Sequence, residues 1–517
     1  MIVRARQLLR RLPGPRLAEG LAFAVVLALC VVIRLYRLGT VPRVILGDET
    51  DNLQSAYKIV AGTGPGIFGY DWKPAPLFSL YPLAWCIRLF GDSVTDFRMF
   101  PVILSLLTIV CFYLLARQTL HAAAALPAMA MLGTNLWFLH FSRTAWENVN
   151  AALFATGACW CFTRAVRTQR YRWWAACGAF TAFGLYGYFS GRFIFISVAA
   201  AAVLAVALRQ APLRRTALGL AVAGVVAGAL FAPQAWKIAH DWDAFTRRTD
   251  TVSVFRVKAS QSYLGDSDGW VIAAKNAKRN FRGFVLQDAQ QTERGLWGRY
   301  NPAHRTSLDQ IATYLFWAGL AFAVLRWRRT YAWWPFFIPL IIVEVFSTGT
   351  PDLARGIVFA PFYFLFIGLA LDEAFQLLRR MPEGTPRRAA VAAAVVCAGA
   401  LVGRSAYTNV RDYLDWQDDP RTQVLRLPGV DVCDFPQWQT LAREAAKNGA
   451  LLGTGQWEAV RDTSSCPDVR RDANEPPDFE QPTPQPGQPT RVAPTRIVLG
   501  TSTPAPVPAL TPGLPTP

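Results

Sequence analysis

Apolar residues along this chain gather into long runs separated by short polar turns. Runs at 21–33, 104–116 and 389–402 each approach the roughly 20 residues needed to cross a bilayer once their flanks are included. The pattern predicts spans near 17–36, 97–116, 122–139, 149–166, 173–187, 193–208, 216–232, 310–325, 332–346, 357–371 and 389–405, about eleven in all. Between the first two, the segments 51–61 and 77–90 mix apolar and polar positions as helices lying along a membrane surface do. The fold class expected is an all-α polytopic membrane protein. The loop at 233–309 is polar and rich in Arg and Asp, and a polar stretch at 406–472 reads as a small extracytoplasmic appendage. From 473 to 517 the chain is rich in Pro, Thr and Gln, a composition that buries no core and predicts disorder. Residues 1–405 then form the membrane domain.

Composition agrees. The 517 residues are 52% hydrophobic and 17% charged, against about 25% charged in soluble domains. A net charge of +18 would suggest nucleic acid in a soluble protein, but here its placement explains it. With the N-terminus inside, the inner pieces carry Arg4, Arg6, Arg10, Arg11 and Arg16, then Arg164, Arg167, Arg170 and Arg172, then Arg209, Arg214 and Arg215. Arg326, Arg328 and Arg329 follow, then Arg379, Arg380, Arg387 and Arg388, whereas the short outward loops hold only Arg143, Arg192 and Arg355. That asymmetry is the positive-inside rule. It predicts a multi-pass protein of the plasma membrane, N-terminus cytoplasmic and C-terminus extracytoplasmic. No small-residue cleavage site follows the first run, which argues against a cleaved signal peptide.

Six of the nine cysteines (Cys30, Cys111, Cys159, Cys161, Cys177 and Cys397) lie in predicted spans and act as small apolar residues. Cys86 is in an amphipathic stretch; Cys433 and Cys466 fall in the outward C-terminal part, where a disulfide is open to them. The four histidines are scattered, without zinc-site spacing. No internal repeat of the kind seen in inverted-repeat transporters is apparent.

The cytoplasmic loops are too short for a nucleotide-binding domain, and no Gly-rich phosphate loop follows a strand. Charged residues are scarce near span midpoints, with Arg34 and Glu344 toward outer ends, which tells against ion-coupled transport. Chemistry is therefore expected at the outer interface. Polar residues collect there: Gly47-Asp48-Glu49, Tyr70-Asp71-Trp72-Lys73-Pro74, Ser142-Arg143, Trp146-Glu147-Asn148, Tyr186-Gly187-Tyr188, Ser190-Gly191-Arg192 and Pro351-Asp352-Leu353-Ala354-Arg355. A positioned carboxylate can serve as general base on a hydroxyl, worth roughly 10²–10⁴-fold, and cations can stabilise a phosphate leaving group.

In order and topology these pieces resemble the GT-C membrane glycosyltransferases of family 39, which include protein O-mannosyltransferases and the aminoarabinose transferase acting on lipid A. The resemblance covers most of the first 410 residues. It rests on Asp48-Glu49, Lys73-Pro74, the Ser142-Arg143 to Glu147 turn, Asn301 through Asp309 leading into a span, and Arg355-Gly356. No single piece is specific; their joint order is. The resemblance implies a GT-C fold and an inverting transfer of a sugar from a polyprenyl-phosphate donor to a glycan, lipid or protein acceptor on the outer face. No nucleic acid is a partner and no cofactor is implied, a divalent metal staying open. Carried over, Asp48 is the base with Glu49 beside it, and Glu147 is the second acid. Lys73, Arg192 and Arg355 contact the donor phosphate; Arg143 and Tyr188 are accessory.

The chain departs from the family in having Lys73-Pro74-Ala75-Pro76 where the lipid A enzyme tends to have Lys-Pro-Pro. The 233–309 loop is also too short for the globular domain of eukaryotic O-mannosyltransferases. Plainer roles stand beside these. Asp48-Glu49 fits a solvated loop pair, Glu147 a helix cap, and Lys73 a snorkelling side chain. Arg192 and Arg355 fit anionic lipid contacts, and Tyr186 and Tyr188 an interfacial belt. The rival function is a flippase-like lipid or glycan transporter; a non-catalytic membrane scaffold is a third.

Overall fold

The computed structural model describes residues 15–72, 76–256, 268–289, 300–302, 305–418 and 429–452. Helices dominate: α1 (Pro15–Leu35), α2 (Gly47–Ala61), α3 (Tyr81–Phe90), α4 (Val94–Ala116), α5 (Ala122–Thr134), α6 (Leu136–Phe141), α7 (Val149–Thr168), α8 (Tyr171–Tyr186) and α9 (Ile194–Ala207). They continue as α10 (Leu213–His240), α11 (Trp242–Val252), α12 (Gly269–Asn280), α13 (Gln310–Leu325), α14 (Trp334–Val345), α15 (Ala360–Arg379), α16 (Thr385–Asp418) and α17 (Phe435–Lys447). Two three-residue strands, β1 (Val44–Leu46) and β2 (Gly429–Asp431), pair antiparallel with Ile45 opposite Val430.

Among the described residues, six helical segments are long and apolar enough to cross a membrane: Arg16–Leu35, Val94–Ala116, Phe189–Ala207, Leu213–His240, Leu353–Arg379 and Thr385–Asp418. Shorter apolar helices, among them Ala122–Thr134, Gln310–Leu325 and Trp334–Val345, accompany them. The protein is a multi-pass membrane protein, but among the described residues the eleven predicted spans are not eleven helices of full length. The run at 122–139 shows why. Asn135 ends α5, and its side-chain oxygen accepts from the Phe138 N–H, starting α6 as a separate helix. At the far end α16 continues past 405 to Asp418. Helix is present over both segments between the first two spans, as α2 and as a 3₁₀ turn (Leu77–Leu80) leading into α3.

Local signals explain the boundaries. Ser93 and Asp96 form a reciprocal capping box at the start of α4. Gly62, at φ 77°, closes α2 in the left-handed conformation that glycine adopts without a Cβ penalty. Asp309 caps α13 through the Ile311 and Ala312 N–H groups, and its other oxygen accepts from Ser405 Oγ (2.7 Å) and Asn409 Nδ2 (2.8 Å) on α16. One carboxylate thus joins two helices.

The main core packs α4, α5, α7 and α13 around α15. Of the apolar window in Leu353–Arg379, 94% is buried, against 6% for α1 and for α16. α13 meets α15 closely because Gly319 faces the Phe366 carbonyl, which any Cβ there would overlap. A second core, separate from the first, joins β1, α2, α3 and the start of α4 to β2 and α17. This smaller layer positions the first outward loop. Cys433, beside β2, is disulfide-bonded; Cys466 lies outside the described residues.

Candidate active site

The turns carrying Asp48, Glu147, Tyr188 and Arg355 meet at one end of the bundle. β1 runs into α2, so Asp48 and Glu49 fall in the first helical turn, where the dipole favours carboxylates. The two acids then part. Glu49 is fully buried: Oε1 accepts from the Ala145 N–H (2.8 Å) and from Arg98 Nε (3.3 Å), and Oε2 from the Leu46 N–H (3.3 Å). Its carboxylate is committed to joining α2, α4 and the turn before α7. Asp48 is only half-buried.

Four residues on from Asp48, and so on its face of α2, Asn52 donates to Glu147 Oε2 at 2.6 Å and to the Ala145 carbonyl at 3.3 Å. Glu147 is buried just ahead of α7, whose N-cap Asn148 makes no side-chain cap bond. Asn148 Nδ2 instead donates to the Ala354 carbonyl (3.2 Å), tying this turn to the Pro351–Arg355 turn.

Tyr188 is the meeting point. Burial first, then Asp352, push its hydroxyl far above the ordinary phenol range; Arg355 opposes the shift, and Asp48 and Glu344 add to it. These five residues therefore share one electrostatic neighbourhood, in which Tyr188 keeps its proton and is a hydrogen-bond donor. Trp146 lies edge-on to Tyr188 with centroids 6.0 Å apart, and Tyr300 lies 5.6 Å from Trp146. The result is an aromatic wall beside the charged groups. Arg355 donates to Ser347 Oγ (2.9 Å) and the Thr348 carbonyl (2.6 Å) and pairs with Asp352 (3.4 Å). Its side chain stays 18% exposed, a cation fixed by its partners without full burial. Glu344 Oε2 accepts from the Asp352 N–H (3.2 Å), bracing the same turn.

The remaining predicted residues are elsewhere. The Arg192 guanidinium is held between the rings of Phe189 (4.6 Å) and Phe245 (4.5 Å) and is electrostatically coupled to Tyr70. Arg143 is not aimed at a ligand. It donates to the carbonyls of Ile33, Arg34, Tyr36 and Val41 and so closes the C-terminal end of α1. Lys73 lies outside the described residues. Just before it, Lys58 and Ser55 both bond Asp71, at 2.7 and 2.8 Å, fixing the path of that loop. Among the described residues no group of three or more His, Cys, Asp or Glu is arranged to hold a metal ion.

Sequence reasoning missed Asn52 and Arg98. Asn52 had a signal, its i+4 spacing from Asp48. Arg98, 49 residues from Glu49 along the chain, had none.

Fold and site together define a multi-pass helical membrane protein with a polar, aromatic-walled site at one end of its bundle. Residues 74–236 match the family described as dolichyl-phosphate-mannose-protein mannosyltransferase. That stretch, which holds Glu147, Tyr188 and Arg192, carries the signature of this glycosyltransferase family, and the resemblance found in the sequence stands at that level. No curated protein matches.

Three solved structures are similar at low identity. The archaeal oligosaccharyltransferase AglB from Archaeoglobus fulgidus, in complex with an inhibitory peptide and a dolichol-phosphate, is 14% identical with a TM-score of 0.49, over 75% of this chain and 56% of its own. ArnT from Cupriavidus metallidurans in the apo state is 14% identical with a TM-score of 0.48, over 84% and 78%. The S. cerevisiae protein O-mannosyltransferase Pmt1-Pmt2 complex bound to the sugar donor is 17% identical with a TM-score of 0.37, over 45% and 35%. This chain spans little more than half the length of the archaeal protein.

Proposed function

We propose that the protein is a GT-C glycosyltransferase that moves a sugar from a polyprenyl-phosphate donor to an acceptor at the extracytoplasmic face. The observation that carries this is the contrast between the two neighbouring acids. Glu49 is held by three donors, whereas Asp48 is half-exposed in the same neighbourhood as Tyr188 and Arg355.

Asp48 takes the proton of the acceptor hydroxyl as its oxygen bonds to the anomeric carbon, while the bond from that carbon to the phosphate oxygen breaks. The configuration inverts, and polyprenyl phosphate leaves with the bonding electrons. Arg355 and Lys73 stabilise the charge gathering on that phosphate. Tyr188, a neutral donor, bonds a substrate oxygen, and Glu147 with Asn52 keeps the Asp48 face of α2 in register. Glu49 positions Asp48 and does not react.

The Arg-bearing turns would face the cytoplasm and the candidate site the outside. A polyprenyl-phosphate sugar suits this arrangement because it reaches the site through the bilayer.

The test is Asp48→Asn. Turnover of a polyprenyl-phosphate sugar should fall by roughly 10²–10⁴-fold, while the purified variant melts like the wild type and still co-purifies with donor lipid, as mass spectrometry would show. Normal transfer by this variant would remove Asp48 from the base role. An unchanged lipid flux with no transfer by either form would favour a flippase.

A further inference from the structure

We infer that a cleft between the ends of α13 and α15, on the face opposite the candidate site, binds the phosphate headgroup of an anionic membrane lipid. α13 starts at Asp309 beside the site and α15 follows the Arg355 turn, so both helices carry their far ends to the other face. There a cleft of about 600 Å³ is lined by Arg326, Arg328, Arg329, Arg380, His121 and Trp327, with Glu373 in its wall.

The charges inside it do not cancel. Asp372 is fully buried; its Oδ1 accepts from the His121 backbone N–H (2.9 Å) and faces His121 Nδ1 (2.7 Å), and its Oδ2 accepts from Arg329 (2.6 Å) and Gln376 (2.7 Å). Glu373 takes Arg329 at 3.1 Å and Arg326 at 3.4 Å. Two carboxylates thus balance two guanidinium groups. Arg328 and Arg380 have no acidic partner among the described residues, leaving the cleft with two positive charges to spare.

Topology alone does not call for this construction. The positive-inside rule needs only arginines in a solvated loop. Burying Asp372 and Glu373 carries a desolvation cost, and what it achieves here is a fixed position for Arg329 and Arg326. The rim identifies the class of anion. Val324, Leu325 and Leu377 are 60%, 74% and 58% exposed, and half-exposed Trp327 in the cleft lining is an indole of the kind that meets headgroups. Acyl chains would lie along that apolar rim with the phosphate among the arginines, as basic pockets between membrane helices hold lipid headgroups. A free phosphate would have no use for the rim.

Native mass spectrometry of the full chain in detergent, titrated with phosphatidylglycerol or phosphatidylcholine, tests this. The wild type should bind phosphatidylglycerol more tightly than phosphatidylcholine. The Arg328→Gln/Arg380→Gln variant should lose about thirtyfold of that affinity. The control Arg209→Gln/Arg215→Gln, which removes the same charge from another turn of that face, should lose none, and all three should melt alike. Equal affinity for the two lipids would overturn the assignment, as would equal weakening by the control pair. Displacement of phosphatidylglycerol by millimolar inorganic phosphate would overturn it in favour of a free-phosphate site.

Discussion

Glu49 and Arg98 are both fully buried, 3.3 Å apart. Such a pair contributes little net stability, but removing one partner strands the other's charge. Glu49→Gln should therefore destabilise by roughly 3–5 kcal/mol, read as a lower melting temperature in detergent. Glu49→Leu with Arg98→Met should recover much of that loss. A single variant that melts like the wild type would show the pair to be dispensable. The adjacent Asp48 should behave in the opposite way, with activity lost and stability kept. At this scale the sequence identified the acids but not their division of labour. Two adjacent carboxylates look alike in one dimension. Only the partners of Glu49, drawn from Arg98 and Ala145, tell them apart. Arg143, named only as accessory from the sequence, has its work described by its four carbonyl partners, which the sequence does not display.

Among the elements, the start of α13 depends on a single side chain. Asp309 satisfies two N–H groups of α13 and receives Ser405 and Asn409 from α16. Asp309→Ala removes a helix cap and an acceptor for two buried donors, a loss of roughly 2–3 kcal/mol. Thermal melting should show this clearly, with Asp309→Asn intermediate because it keeps one oxygen. If the alanine variant melts unchanged, α13 and α16 are held by apolar packing alone. Periodicity and run length were enough to find most helices, and α13 (Gln310–Leu325) covers the run predicted near 310–325. The break at Asn135 was missed because a lone Asn in an apolar run is a weak signal, and its capping bond to Phe138 exists only once the chain has turned.

For the molecule as a whole, the clear prediction is orientation. Asp243 and Arg170 are both exposed. Asp243 starts the short helix that places Phe245 on Arg192, at the site end; Arg170 lies in an Arg-bearing turn at the other end. In a cysteine-free background, Asp243→Cys should react with a membrane-impermeant thiol reagent in intact cells, and Arg170→Cys only after permeabilisation. The reverse pattern would place the candidate site in the cytoplasm. The sequence supports this expectation through arginine placement, a global signal summed over many turns. It could not show that the same arginines enclose a cleft.

The burial of α15 has a mechanical consequence. Bilayers differ in thickness, and a membrane protein meets that difference through the helices that touch lipid. Here those are α1 and α16, with α10 next, whose apolar windows are 6%, 6% and 17% buried. They can tilt to match their surroundings. The 18-residue apolar window of Leu353–Arg379, 94% buried by protein, has little such contact to answer to and keeps a length of about 27 Å. It works as an internal spacer, with the Arg355 turn at one end and the Asp372–Glu373 pair at the other. Membranes of unequal thickness should therefore alter the seating of the outer helices while the distance between those two charged ends stays the same.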